Sequence, residues 1–195
     1  MKLQVIVGST RPERVSHKVA QWVANAAQNL QNTTVEVVDL ADYPLPLFDE
    51  PVSPQYNPKR QSNEVAQKWL HKLSEADAYV LVTPEYNRST SAVLKNALDY
   101  VDFQFAKKPV AIVAHGTTGG AAAVSHLRGI IPSLKAVSVP TPVYFNGQAG
   151  EVLNDSGELV DEAVKNDPYG PQAALKAVLE ELQWYSDALA AARQQ

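Results

Sequence analysis

The sequence predicts an α/β protein in which an open parallel sheet carries helices on both faces. Three observations point there. The apolar runs, such as Leu3, Val5, Ile6 and Val7, or residues 78–82, are nearly continuous rather than alternating, as in strands buried on both sides. Between these runs lie stretches whose apolar residues recur at helical spacing. The runs also end in turns rich in glycine, proline and hydroxyl residues, where such sheets keep their ligand loops.

In chain order, the first strand (residues 3–7) leads through the turn at 8–16 into a helix with Val15, Val19, Trp22, Val23, Ala26, Ala27 and Leu30 on one face. Ser16 is placed to cap or nearly cap that helix. Val35, Val37, Val38 and Leu40 make a second strand, and the helix between is long enough for a parallel crossover. Residues 43–58 hold Pro44, Pro46, Pro51, Pro54 and Pro58, so a stiff extended loop is expected. A helix over 61–74 buries Val65, Trp69, Leu70 and Leu73. The third strand, 78–82, ends at Thr83-Pro84-Glu85-Tyr86-Asn87. The next helix buries Val93, Leu94, Ala97, Leu98 and Val101.

A fourth strand over 110–113 ends in His115-Gly116-Thr117-Thr118-Gly119-Gly120, followed by a helix over 121–131. A short fifth strand, 135–139, stops at Pro140 and Pro142. Residues 144–157 read as loop or hairpin, and a long amphipathic helix follows Pro171, with Leu175, Val178, Leu179, Leu182, Tyr185 and Leu189 on its apolar side. Trp22, Trp69 and Trp184 all fall at core positions of their helices. Five strands suit the flavodoxin-like order 2-1-3-4-5, in which the order reverses between strands one and three and gathers the Gly8, Pro84 and Gly116 loops around one crevice.

Composition narrows the function. With 195 residues and no shift in composition, a single domain spanning 1–195 is expected. Apolar residues are 45% and charged residues 19% of the chain, and no apolar run is long enough to cross a bilayer. Seventeen Lys and Arg against 21 Asp and Glu give a formal charge of -4, which argues against a nucleic-acid partner. Zero cysteines remove disulfides, thiol nucleophiles and cysteine-ligated metals. His17, His71 and His126 show no metal-ligand spacing. No secretory signal opens the chain, and a cytoplasmic location is expected.

The turn from Gly8 to Ser16 has the parts of an anion cradle. Gly8 permits a tight bend, Ser9, Thr10 and Ser16 offer hydroxyls, and Arg11 and Arg14 offer planar charged donors at a helix start. A solvated turn with two surface arginines is the plainer alternative. Beside two further strand-end loops, one rich in glycine, such a cradle suits a flat phosphorylated cofactor, and FMN is the natural candidate. Rival phosphate sites lack their parts: no Lys-Ser or Lys-Thr follows as in an ATPase loop, and no Gly-x-Gly-x-x-Gly occurs. A serine-hydrolase elbow is also absent.

Gly8-Ser9-Thr10-Arg11-Pro12-Glu13-Arg14 and Pro84-Glu85-Tyr86-Asn87-Arg88-Ser89, with Leu94-Lys95-Asn96-Ala97-Leu98-Asp99 beyond, resemble the NADPH-dependent FMN reductase family. The resemblance reaches to about Val143. It implies that Ser9, Arg11 and Ser16 hold the FMN phosphate, with Arg14 a further candidate. It also implies that Pro84, Glu85, Tyr86 and Asn87 lie along the isoalloxazine ring, and that Gly116, Thr117 and Gly119 close the far side. Hydride would pass from NADPH or NADH to the flavin and then to a quinone, flavin, azo compound or metal oxyanion, with no catalytic side chain required. A flavodoxin-type electron carrier without its own NAD(P)H activity is the alternative, and a flavin-binding regulator a weaker third. Arg11 favours the enzyme.

Three residues carry plainer readings. Glu85 resembles a catalytic acid but is expected to make backbone contact and a surface ion pair. His115 reads as the cap of a strand end, and Tyr86 as either a flavin neighbour or interface filling. Apolar surface on the final helix and on the helix after Asn87, together with the resemblance, leads to an expected homodimer, or a tetramer built on it.

Overall fold

The computed structural model describes residues 1–193. Its sheet follows the order β2 (Thr34–Asp39), β1 (Lys2–Val7), β3 (Ala78–Pro84), β4 (Pro109–Gly116), β5 (Val137–Ser138), with β6 (Val143–Asn146) also paired to β4. Strand β1 lies between the edge strand β2 and the central strand β3, parallel to both. Strand β4 (Pro109–Gly116) continues from β3 in parallel register, pairing Val82 with Val113 and Pro84 with His115. The fold is the flavodoxin-like arrangement that the strand pattern predicts.

The fifth position differs in detail. It is filled by two short strands, β5 (Val137–Ser138) beside Pro109 and Val110, and β6 (Val143–Asn146) beside Val113 to Gly116. Pro140 and Pro142 remove two amide donors between them, so the ladder breaks and resumes rather than ending. Residues 144–146, read from the sequence as loop or hairpin, therefore complete the sheet.

Because every residue of β3 is buried, its side chains feed two cores in turn. Val80 and Val82 join Leu3, Val5 and Val7 under α1 (Ser16–Ala27) and the last helix, α7 (Pro171–Arg193). Tyr79 and Leu81 face α2 (Glu64–Ser74), α3 (Ala92–Asp99) and α4 (Ala121–Ile130) on the other side. Two shorter helices, α5 (Ala149–Val152) and α6 (Glu162–Asn166), lie between β6 and α7. Capping fixes where α2 and α3 begin: the Asn63 side chain accepts from the Ala66 amide at 2.9 Å, and Ser91 Oγ accepts from Leu94 at 3.1 Å.

The proline-rich segment is stapled to α3. Asn96 Oδ1 accepts from the Phe48 amide at 2.9 Å, Asn96 Nδ2 donates to the Pro46 carbonyl at 2.8 Å, and the Phe48 ring meets Tyr100 edge-on at 5.2 Å. Arg60, buried at the end of this segment, pairs with Glu50 and Asp102 and donates to the Tyr100 carbonyl. Proline fixes the backbone angles, and these contacts fix the position.

Two expectations about apolar surface are corrected. Trp22 and Trp69 are buried, but Trp184 is 66% exposed, because the inward stripe of α7 is Leu175, Val178, Leu179 and Leu182, and position 184 falls off it. The final helix thus spends its main apolar face on the sheet rather than offering it to a partner. Among the described residues, no helix is long and apolar enough to cross a membrane, and no cluster of acidic residues and histidines is placed to hold a metal ion.

Candidate active site

The carboxyl ends of β1, β3 and β4 turn into three loops that meet at the place where strand order reverses. The first loop starts flush against β3: the Gly8 amide donates to the Val82 carbonyl at 2.8 Å, and a Cβ on Gly8 would approach that oxygen to 2.5 Å. Only glycine fits so close a passage. Ser91 Oγ donates to the Gly8 carbonyl, which ties the loop to the start of α3.

A crevice of about 270 Å³ opens between the loops. Arg11 and Val15 wall it from the first loop, Pro84, Glu85 and Tyr86 from the second, and His115, Gly116 and Thr117 from the third. Gly147, Ala149 and Gly150, just past β6, complete it. Of the residues that the sequence singles out, Arg11, Pro84, Glu85, Tyr86, Gly116 and Thr117 are thus brought together.

The others take different places. Ser9 is buried, its Oγ 3.0 Å from the Tyr86 hydroxyl and accepting the Arg11 amide at 3.4 Å, so it braces the first loop from behind. Ser16 is buried too, at the first helical position of α1, and meets His115 Nε2 at 2.9 Å instead of capping the helix. Arg14 turns away and pairs with Asp39 at the end of β2. Asn87 sits exposed at the tip of a two-residue hairpin, where Tyr86 and Ser89 exchange amide bonds at 2.9 and 3.0 Å. Asn87 and Arg88 have φ of 49° and 66°, the left-handed pair such a turn requires, which accounts for asparagine there. Gly119 is enclosed at φ 77°, and a Cβ on it would lie 2.6 Å from Asn146 Oδ1.

Sequence reasoning missed Val15, Gly147, Ala149 and Gly150. The two glycines were a usable signal: a Cβ on Gly150 would come within 3.0 Å of Val15, and one on Gly147 within 3.3 Å of the Thr117 backbone.

Electrostatics favour an anion at the Arg11 end. Arg11 is exposed and has no carboxylate partner among the described residues, while α1 begins without a side-chain cap or an acid in its first turn. Its first amides and its positive dipole end stay open to an anion. Glu85 is committed elsewhere: its carboxylate accepts from the Ala122 amide at 2.9 Å, capping α4, and lies 3.9 Å from Arg88. Burial, and then the charge of Arg11, push His115 down to about 4, so it is neutral at physiological pH and a poor proton donor. The chemistry of this set, a guanidinium unpaired among the described residues and an uncapped helix start beside a crevice lined by Pro84, Tyr86 and three glycines, fits the phosphate and flat ring of FMN.

An open parallel sheet with such a crevice at its switch point is the flavodoxin-like, flavin-nucleotide-binding class of α/β protein. The chain belongs to the NADPH-dependent FMN reductase family, whose sequence profile matches residues 1–151. An NAD(P)H-dependent FMN reductase of Schizosaccharomyces pombe is 38% identical over 140 residues, covering 72% of this chain and 70% of that protein. A 2-hydroxy-1,4-benzoquinone reductase of a Burkholderia species is 31% identical over 169 residues, covering 83% and 87%. The structure of FerB, a flavoenzyme NAD(P)H:(acceptor) oxidoreductase from Paracoccus denitrificans, superposes with a TM-score of 0.72 at 22% identity, over 94% of this chain and 98% of that one, which shows the fold. FMN is the cofactor of this family, and NAD(P)H its cosubstrate.

Proposed function

We propose that residues 1–195 act as one FMN-dependent oxidoreductase domain that takes hydride from NADPH or NADH and delivers it to a quinone. The observation that carries this is the Arg11 guanidinium, without an acidic partner among the described residues, near the uncapped start of α1 and on the wall of the switch-point crevice. In this reading Arg11 and the α1 amides hold the phosphate. Pro84, Glu85 and Tyr86 line one side of the ring, with Gly116 and Thr117 on the other. Ser9 fixes the loop, and Asn87 shapes the hairpin that carries Tyr86. Bound FMN supplies the acceptance and donation of hydride. The protein binds, orients and provides backbone donors for the negative charge that reduction brings.

The quinone acceptor is supported by the reductase from Burkholderia, and by a slot whose walls would accept flat molecules in turn. Reduced nicotinamide nucleotides are held inside cells, which supports a cytoplasmic location. Exposed Leu47, Val52 and Tyr56 on the proline-rich segment, and Val93 on α3, support a homodimer joined through that side. Steady-state turnover with NADPH and NADH against a panel of quinones, azo dyes and free flavin tests the proposal. Turnover with quinones supports it. Reduction only through a separate reductase protein would replace it with the carrier reading.

A further inference from the structure

The chain has ten asparagines, and one of them, Asn146, precedes a glycine. The pair closes β6 and opens the turn after it, with both residues exposed. Gly147 lies on the wall of the crevice, where a Cβ on it would come within 3.3 Å of the Thr117 backbone.

Such a pair carries its own chemistry. The peptide nitrogen that follows an asparagine can attack the side-chain amide carbon and close a five-membered imide, and a side chain on the following residue hinders the closure. Glycine has none. In a folded chain the step also needs an asparagine side chain free to turn, an attacking nitrogen not held in a hydrogen bond, and water at both. Asn146 meets these conditions: its amide makes no hydrogen bond among the described residues, with Oδ1 only leaning over Gly119, and the Gly147 amide makes none either.

The other nine asparagines do not. The side chains of Asn25, Asn29, Asn63, Asn96, Asn154 and Asn166 are hydrogen-bonded. Asn57 precedes Pro58, whose nitrogen is already fully substituted. Asn32 and Asn87 precede Thr33 and Arg88, whose side chains stand in the way of ring closure.

We propose that Asn146 is a site of spontaneous deamidation, and that its conversion to aspartate and isoaspartate weakens the flavin site as the protein ages. The Gly147 nitrogen bonds to Asn146 Cγ as the Cγ–nitrogen bond breaks, and ammonia leaves with the proton of the Gly147 amide. Water then opens the imide. Attack at Cγ gives aspartate, and attack at the backbone carbonyl carbon of residue 146 gives isoaspartate, whose main chain runs through the former side chain. No oxidant or enzyme takes part. Either product adds one negative charge to the formal -4 at the edge of the crevice, where it disfavours an anionic ligand. Isoaspartate also inserts a methylene ahead of Gly147, which has little room to move towards Thr117. The consequence for binding rests on the FMN reading above; the deamidation does not.

The test ages the purified full chain in mildly alkaline buffer and follows each asparagine by peptide mass spectrometry, with fragment ions that separate aspartate from isoaspartate. Residue 146 should convert well ahead of every other asparagine, and faster as pH rises. Asn146→Gln, which would have to close a six-membered ring, should stay intact over the same period. FMN affinity of fresh and aged samples is read by quenching of flavin fluorescence. Aged wild type should bind about threefold to tenfold more weakly than fresh, while aged Asn146→Gln keeps the affinity of its fresh sample. Conversion spread evenly over the asparagines, or residue 146 left intact, would overturn the site. Equal FMN affinity of converted and fresh protein would overturn its link to the crevice. A fresh wild type that binds no FMN while residue 146 still converts would instead sink the functional reading and leave the modification standing.

Discussion

The Arg11 guanidinium lies over the Tyr86 ring, 5.3 Å from its centre, while Ser9 Oγ sits 3.0 Å from the hydroxyl of the same tyrosine. The first and second strand-end loops are thus held to each other directly, and the charged group is parked on an aromatic face where an incoming phosphate can reach it.

Replacement of Arg11 should therefore act on binding and not on folding. Arg11→Ala is expected to weaken FMN binding by about 1.5–3 kcal/mol, the worth of one hydrogen bond to a charged group, with the melting temperature of the flavin-free protein nearly unchanged. Isothermal titration at two salt concentrations checks this, since wild-type affinity should fall as salt rises and the variant's should respond less.

Glu85 is a stability residue on this account. Its carboxylate caps α4 at Ala122, close to the positive end of the helix. Glu85→Ala should cost about 1–2 kcal/mol in urea unfolding, and Glu85→Gln less, because the amide oxygen can still accept the bond.

Arg60 should be the most sensitive position of the proline-rich segment. Its removal leaves the largely buried carboxylates of Glu50 and Asp102 without their shared cation, at a cost of about 3 kcal/mol. Arg60→Ala should lower the melting temperature and open residues 43–62 to limited proteolysis at rates well above the wild type's.

His115 gives a pH signature. Its folded-state value of about 4 lies below the ordinary 6.5, so the unfolded chain binds the proton more readily. The stability this contributes is fully present above pH 6.5 and is lost as pH falls towards 4, by about 3 kcal/mol in all. Among the described residues, the charge that shifts the ring is Arg11, which stays ionised over this range, and Glu85 on the same crevice is held by the Ala122 amide, so the imidazole itself carries the change. Unfolding curves between pH 7 and 4 should be steeper in pH for the wild type than for His115→Asn.

Much of this was legible in the sequence because buried parallel strands and amphipathic helices leave strong periodic signals. Residues 78–82 and the helix carrying Trp69 show this. The split fifth strand was half legible: Pro140 and Pro142 marked the break, but nothing local shows that Val143 to Asn146 return to β4, since that pairing depends on a strand far earlier in the chain. Position 184 was misplaced because a long helix offers more than one apolar stripe, and only the packed sheet selects between them. Within the site, Arg11, Tyr86 and Gly116 were readable as chemistry at strand ends. Arg14 was not, because its partner Asp39 is distant in sequence. Asn87 is explained by backbone geometry, which residue type alone could not separate from a ligand contact.

The most direct test of the central claim is an anaerobic titration of the protein, saturated with FMN and freed of excess, with NADPH or NADH. A protein-bound flavin absorption that bleaches with the nicotinamide nucleotide and returns when a quinone is added is the expected result. A protein that retains no FMN, or whose bound FMN neither nucleotide reduces, would contradict it.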